Sequence, residues 1–465
     1  MAARRKRKNR KTLFIIEIVI LVALSIALFA GIWFTQKLSL VQHTELDSNR
    51  VITANEANGG STASGSVTTT EEGETVETVA DNGLTGVEMF ALVGLDTRVY
   101  EGDEASENSD TMIIACVNHN TKTIKLCSIY RDTYLNVGDS YYGDPNYYTK
   151  ANAAYNYGGP EQFLSMLNLN LDLNITQYIT VDFVALCKMI DLLGGLDVEM
   201  TREEVIHMNN YNVETSLACG VDYVEQELPS ADEFDGLQTR TFHLNGSQSV
   251  SYARIRYTEG NDFRRASRQR RILALVKEKA SSADIGTLNS VLDAVLPYVT
   301  TNLESTEIIS LATSVLSYSL TEDDQAGFPF VHLEDDGTIT GEDTVIPVTL
   351  AYNVEQLHAF LLPDEYYTPS ETVLAYSDYI AQLTGYDDSY IDYASTNEVN
   401  AEIPTWTEED EAMAQAQNAA AAASGDSGYY SDDSYYSDDS YYSDDSNDYN
   451  SESEDYYNEE EEYYE

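Results

Sequence analysis

The 465-residue chain is poor in cysteine, with four residues, no CxxC and no paired Cys/His cluster. That excludes a zinc ribbon and a disulfide-rich scaffold. It has neither an HExxH motif nor a Gly-Lys dipeptide, which removes zincins and P-loop NTPases. Positive charge is scarce as well: 26 Lys+Arg stand against 79 Asp+Glu, a formal net charge of −53. So acidic a surface repels phosphate backbones and excludes a role in binding nucleic acid. The 43% hydrophobic content suffices for a core, so part of the negative charge belongs to solvated segments outside it.

Seven bases (Arg4, Arg5, Lys6, Arg7, Lys8, Arg10 and Lys11) precede a run of 22 mostly apolar residues at 13–34, interrupted by Glu17 and Ser25. At ~1.5 Å per residue such a helix crosses a ~30 Å hydrocarbon core. A cleaved signal peptide is the alternative, but the run is long and no small-x-small site follows Trp33 and Phe34. Bases ahead of the span keep the N-terminus in the cytoplasm. The sequence therefore predicts a single-pass type II protein of the cell membrane, with everything after about residue 37 outside. Residues 45–85, rich in Ser, Thr, Gly, Glu and Ala, read as a disordered spacer. Beyond Trp406 a Tyr-Tyr-Ser-Asp-Asp-Ser unit repeats from 429, and residues 425–465 hold 16 acids, 11 tyrosines and no base. This composition reads as a solvated tail. The expected organisation is a basic cytoplasmic segment (1–12), a transmembrane helix (13–34), a disordered stalk (35–86), an extracellular folded domain (87–386) and an acidic low-complexity tail (387–465).

Seventeen bases lie between residues 88 and 280, none follows Lys279, and seven arginines crowd into 254–271. In so acidic a chain this concentration suggests a held anion, because arginine's planar fork matches phosphate oxygens. For any single arginine a surface ion pair explains it as well. The patterning is mixed α/β, with strands at 88–95, 176–182, 196–200 and 346–350 and a hairpin from 111–117 and 123–129. Helices are predicted at 160–169, 183–193, 244–257 and 303–316, and from an Asp262 N-cap to about 280. Arg254 and Arg256 flank Ile255 and share a face if that segment is extended. Further on, Arg265, Arg268 and Gln269 stand at i, i+3 and i+4, one helical stripe, while Arg264, Arg270 and Arg271 are predicted at the surface. Cys116 and Cys127 are expected as buried small hydrophobes on the hairpin rather than as a disulfide.

The motifs GLDTR (94–98), SDTM (109–112), SIYRDT (128–133), KANAAYNYGGPE (150–161), LLGGLDV (192–198), LNGSQSVSYARIRY (244–257) and DFRRASRQRRI (262–272) occur in this order. In that order they resemble the LytR–CpsA–Psr family, strongly over residues 88–280 and weakly to about 385. The resemblance implies a central mixed β-sheet flanked by helices, with an N-terminal transmembrane helix, a hydrophobic prenyl pocket and, here, a disordered acidic tail. It also implies a phosphotransferase that moves a glycopolymer, such as a teichoic acid or capsular polysaccharide, from an undecaprenyl-diphosphate carrier to peptidoglycan.

By the same resemblance Asp96 and Asp110 hold magnesium, or manganese in its place, against phosphate oxygens. A lone Asp at a strand end is otherwise a turn or cap residue. Arg98, Arg131, Arg254, Arg256, Arg265, Arg268 and Gln269 would contact the diphosphate. Catalysis would fall to Asp96, Arg131, Asp262 and Arg265, with Asp262 orienting Arg265 or acting as base if it does more than cap. Tyr155 and Asn152 line the site or merely pack. Two positions depart from the family's pattern: Asn108 stands where Arg is common, and Tyr130 where Pro is usual. A non-catalytic wall-binding protein or transcriptional attenuator, and a lipid-diphosphate phosphatase using the same site, are the competing readings.

Overall fold

The computed structural model describes residues 39–47, 49–58, 86–95, 109–228, 239–256 and 261–396. The chain divides into two units, Met1–Trp406 and Thr407–Glu465, and every described residue belongs to the first. The membrane span predicted at 13–34, the spacer from 59 to 85, Asp96, Arg98 and the acidic tail lie outside the described residues. Among the described ones no helix is long and apolar enough to cross a membrane.

In chain order the elements are β1 (Gln42–His43), α1 (Ala54–Ala57), β2 (Val87–Leu95), β3 (Ser109–Asn118), β4 (Thr123–Ile129), β5 (Tyr134–Gly138), β6 (Tyr147–Lys150), α2 (Ala153–Leu171), β7 (Tyr178–Asp182), α3 (Phe183–Leu192), β8 (Leu196–Met200) and α4 (Arg202–Cys219). There follow β9 (Arg240–Leu244), α5 (Gly246–Arg254), α6 (Asn261–Ser282), α7 (Ile285–Val295), β10 (Val299–Thr301), α8 (Ser305–Ser317), β11 (Gln325–Phe328), β12 (Val331–Asp336), β13 (Asp343–Pro347), α9 (Leu350–Leu361), α10 (Glu371–Thr384) and β14 (Ser395–Thr396).

Seven strands build the central sheet in the order β1-β10-β7-β2-β3-β4-β11. It is mixed: β2 runs parallel to β7 and antiparallel to β3, and β4 antiparallel to β3 and parallel to β11. Strand β3 sits deep in this sheet and is buried on both faces, which is why its sequence reads as an unbroken apolar run rather than an alternation. Met112, Ile114 and Cys116 pack on one side with Phe163, Leu164 and Leu167 of α2 and Leu357 of α9. Ile113, Ala115 and Val117 pack on the other with Leu273 of α6 and Leu311 of α8. A further lobe, built from α3, β8, α4, β9 and α5, has its own core around Ile190, Val198, Met208, Phe242 and Tyr252. Helix α6 joins the two: Ile272 and Val276 enter the lobe's core while Leu273 packs on the sheet.

Three expectations need correction. Part of the stalk belongs to the domain. β1 pairs with β10, Val51 is buried in the main core, and Ala54 N–H donates to Leu173 O at 3.1 Å. Few apolar residues sufficed there, because Ser165 and Asn168 of α2 satisfy the backbone of residues 50 and 52. Helix α2 begins at Ala153, ahead of the predicted 160, since an interruption at Gly158 and Gly159 (φ 64°) lets the turn before it precede Pro160. Finally, α6 begins at Asn261, so Asp262 lies in the helix's first turn and is not the residue ahead of it.

Candidate functional site

Because β3 and β4 are antiparallel neighbours, with Met112 opposite Ile129, the start of β3 and the end of β4 reach the same edge of the sheet. That brings Asp110 and Arg131 together, Arg131 Nη1 donating to Asp110 Oδ1 at 3.3 Å. The turn after β4 is fixed by Thr133, whose N–H and hydroxyl both donate to Tyr130 O, at 3.0 and 2.7 Å. Asn152 N–H donates to Arg131 O at 3.1 Å and Asn152 O accepts from Ser109 Oγ at 3.4 Å. One backbone unit of the KANAAYN motif thus braces both strand ends. Tyr155 instead packs in the core against Phe163.

Two further arginines arrive from the basic window. Arg256, just past the end of α5, places Nη2 3.8 Å from Asp110 Oδ1. Arg265, in the second turn of α6, is almost fully buried and acts on Asp110 through its charge. Burial pushes the Asp110 carboxyl up, but Arg265, Arg131 and Arg256 together hold it below the usual carboxylate range. It is therefore ionised, with three guanidinium groups acting on it. Beside it Asp132 takes Arg131 Nε at 3.2 Å and Lys150 Nζ at 3.4 Å. The sequence reading assigned no role to Asp132 or Lys150, although both stand in the motifs SIYRDT and KANAAYNYGGPE. Among the described residues four cations, Arg131, Arg256, Arg265 and Lys150, stand beside the two carboxylates Asp110 and Asp132.

The other arginines of the window go elsewhere. Arg254 and Arg256 do not share a face, because Arg254 closes α5 and turns back on the lobe. Its Nη1 donates to Thr215 Oγ1 at 2.8 Å and its Nη2 reaches Glu214 at 3.3 Å, with the guanidinium over the rings of Phe183 and Tyr211. Arg268 is buried. It donates from Nε to Glu204 Oε1 and from Nη1 to Ile255 O, each at 2.9 Å. Glu204 also closes the capping box of α4, so Arg268 ties the segment carrying Arg256 to that helix. Gln269 is half-buried, at i+4 from Arg265. Arg271 pairs with Glu199 at the surface as expected. Arg270 does not: it is 1% exposed, on the α6 face that packs against β4, and neither its Nε nor its Nη1 has a hydrogen-bond partner among the described residues.

For a magnesium ion the described residues supply one carboxylate, Asp110. No group of three acidic, histidine or cysteine residues able to hold a metal occurs among them. Magnesium bound largely through phosphate oxygens and water asks for only one or two protein carboxylates, and an ionised Asp110 fits that demand. On the other side of Asp132 opens a cavity of about 630 Å³ lined by Phe263, Glu334, Asp335, Asp336 and Asp343. Its carboxylates disfavour a phosphate in that cavity.

A family model described as the LytR_cpsA_psr family matches residues 54–343. The polyisoprenyl-teichoic acid–peptidoglycan teichoic acid transferase TagV of Bacillus subtilis is 28% identical over 226 residues, 48% of this chain and 52% of that protein. Biofilm regulatory protein A of Streptococcus mutans is 30% identical over 233 residues, 49% of this chain and 52% of that protein. The chain thus spans about half the length of the curated relatives it matches. The crystal structure of B. subtilis TagV covers 61% of this chain and 98% of its own, with 24% identity and a TM-score of 0.44.

Proposed function

The chain belongs to the LytR–CpsA–Psr family, and on that premise we propose a phosphotransferase that moves a glycopolymer from an undecaprenyl-diphosphate carrier to peptidoglycan. The polymer would be a teichoic acid or a capsular or wall polysaccharide. The observation that carries this reading is the convergence of Arg131, Arg256 and Arg265 on Asp110.

In the reaction an acceptor hydroxyl attacks the phosphorus that bears the glycopolymer. The bond from that phosphorus to the prenyl phosphate breaks, and prenyl monophosphate leaves as the phosphodiester forms, the hydroxyl's proton passing to the released monophosphate or to solvent. Arg131, Arg256 and Arg265 would neutralise the non-bridging oxygens and hold the diphosphate for in-line attack. Their positions are fixed before substrate arrives, by Asn152 for Arg131, by Arg268 acting through Ile255 for Arg256, and by burial in α6 for Arg265. Asp110 with Asp96 would hold magnesium, which when bound adds positive charge at the same oxygens. The span at 13–34 would anchor the domain outside the membrane, within reach of a lipid-linked donor.

A transfer assay with undecaprenyl-diphosphate-linked polymer and either peptidoglycan or water as acceptor tests the reading. Arg265→Ala is expected to lower transfer at least 100-fold with the fold intact, since one such contact is worth ~2.7–4 kcal/mol in a transition state. Lysine there would restore only part, because a point charge replaces a fork. Release of polymer to water at a rate unaffected by peptidoglycan would make the protein a phosphatase instead. Normal transfer by Arg265→Ala would end the assignment of this site.

A further inference from the structure

Two cysteines outside the site stand in a setting unlike that of the other two. Cys116 faces Lys125 and Cys127 faces Ile114 across the β3–β4 pair. Both are buried among aliphatic side chains, and burial pushes each thiol up to about 12. They are inert packing residues. Cys187 of α3 and Cys219 of α4, in contrast, meet with Val250 of α5 in one small buried cluster.

The cluster lies one turn from the clasp on Arg254. Cys187 follows Phe183 by four residues, Cys219 follows Thr215 by four, and Val250 precedes Arg254 by four. The three helices therefore meet in two successive layers: Phe183, Thr215 and Arg254 in one, and Cys187, Cys219 and Val250 in the next. At Gly246 the start of α5 lies so close to α3 that a Cβ would be 2.1 Å from Cys187 O, and Arg254 in turn joins α5 to Thr215 of α4 and Phe183 of α3. We propose that Cys187 and Cys219 form a disulfide that locks α3 to α4 beneath the Arg254 clasp and so stiffens the lobe that carries Arg256.

The order of events follows from the two environments. Cys219 closes α4 beside the solvent-facing Leu217 and Gly220, and the neighbouring Cys187 holds its thiol below the ordinary range. Cys187 is fully buried, with its sulfur 3.9 Å from Asp191 Oδ2, and its thiol is raised. Cys219 is thus the attacking thiolate. It displaces one thiolate from an external disulfide, either a low-molecular-weight disulfide or that of an oxidoreductase, and forms a mixed disulfide. Cys187 loses its proton and attacks the Cys219 sulfur, releasing the second thiol. Two electrons pass to the external disulfide, and the two protons end on the thiols it releases. An extracytoplasmic domain, as in the reading above, meets such oxidants, but the chemistry is testable without that placement.

The test treats the purified full chain with oxidised glutathione, alkylates it in denaturant and maps its peptides. The expected result is a peptide pair linked through Cys187 and Cys219, with Cys116 and Cys127 alkylated. The melting midpoint should rise by about 2–8 °C and return on reduction. Cys219→Ser should show neither the link nor the shift. Alkylation of all four cysteines after oxidation would overturn the proposal. So would a Cys219–glutathione adduct that never resolves onto Cys187, or a melting shift that persists in Cys219→Ser.

Discussion

Each arginine of the basic window answers to a different partner, and the partner decides what its loss does. Arg268 is held by Glu204 and by Ile255 O. In Arg268→Ala the half-enclosed Glu204 loses its cation and Ile255 O its donor, so unfolding free energy should fall by roughly 3–5 kcal/mol, as for a broken buried pair. Denaturant titration checks this, and a stability within 1 kcal/mol of wild type would show that the pair contributes little. Arg270 behaves oppositely, as a buried cation whose Nε and Nη1 have no partners among the described residues. Replacement by methionine, which keeps volume and removes the charge, should leave stability unchanged or raise it. His332 is a third case. It is buried and stacked 4.4 Å from Phe263, and burial lowers it to about 4. The unfolded chain then takes up the proton first, so His332 contributes fully above about pH 6.5, and that contribution is lost as pH falls toward 4. On the order of 3 kcal/mol is at stake. His332→Gln should flatten the pH dependence of unfolding in that window, and an unchanged slope would assign it to other groups.

At the scale of elements, Asp110, Arg131, Arg256 and Arg265 are singled out by the family's motif order, and the structure brings these four together. The fates of Arg268 and Arg270 could not be read that way. A helical stripe assumes one buried face, whereas α6 is buried on two, and only tertiary packing decides which arginine turns to Glu204 and which to the sheet. The stalk was misread for a related reason, since residues 39–58 have few apolar side chains and are held mostly through backbone groups. Removing residues 39–58 should therefore take Val51 out of the main core, uncover the edge of β10, and lower the melting midpoint by several degrees. An unchanged midpoint would return the segment to the status of a spacer.

For the whole molecule the prediction runs the other way. The tail from 408 onward holds 20 of the 79 acidic residues and no base, a composition that supplies no core. Its deletion should leave the melting midpoint and transfer to soluble peptidoglycan fragments unchanged, while reducing the net negative charge that keeps chains apart. A drop in midpoint would show that it packs on the domain.

Helix α6 belongs to two cores at once, with Leu273 on the sheet side and Ile272 and Val276 on the lobe side. Neither core can open without stripping one face of this ~33 Å rod. Amide protons in its middle turns should therefore exchange with solvent only when the entire domain unfolds, and at the same free energy as those of β3. Arg265, the one of the three proposed diphosphate ligands carried by this helix, would then sit on the part of the molecule that is last to loosen.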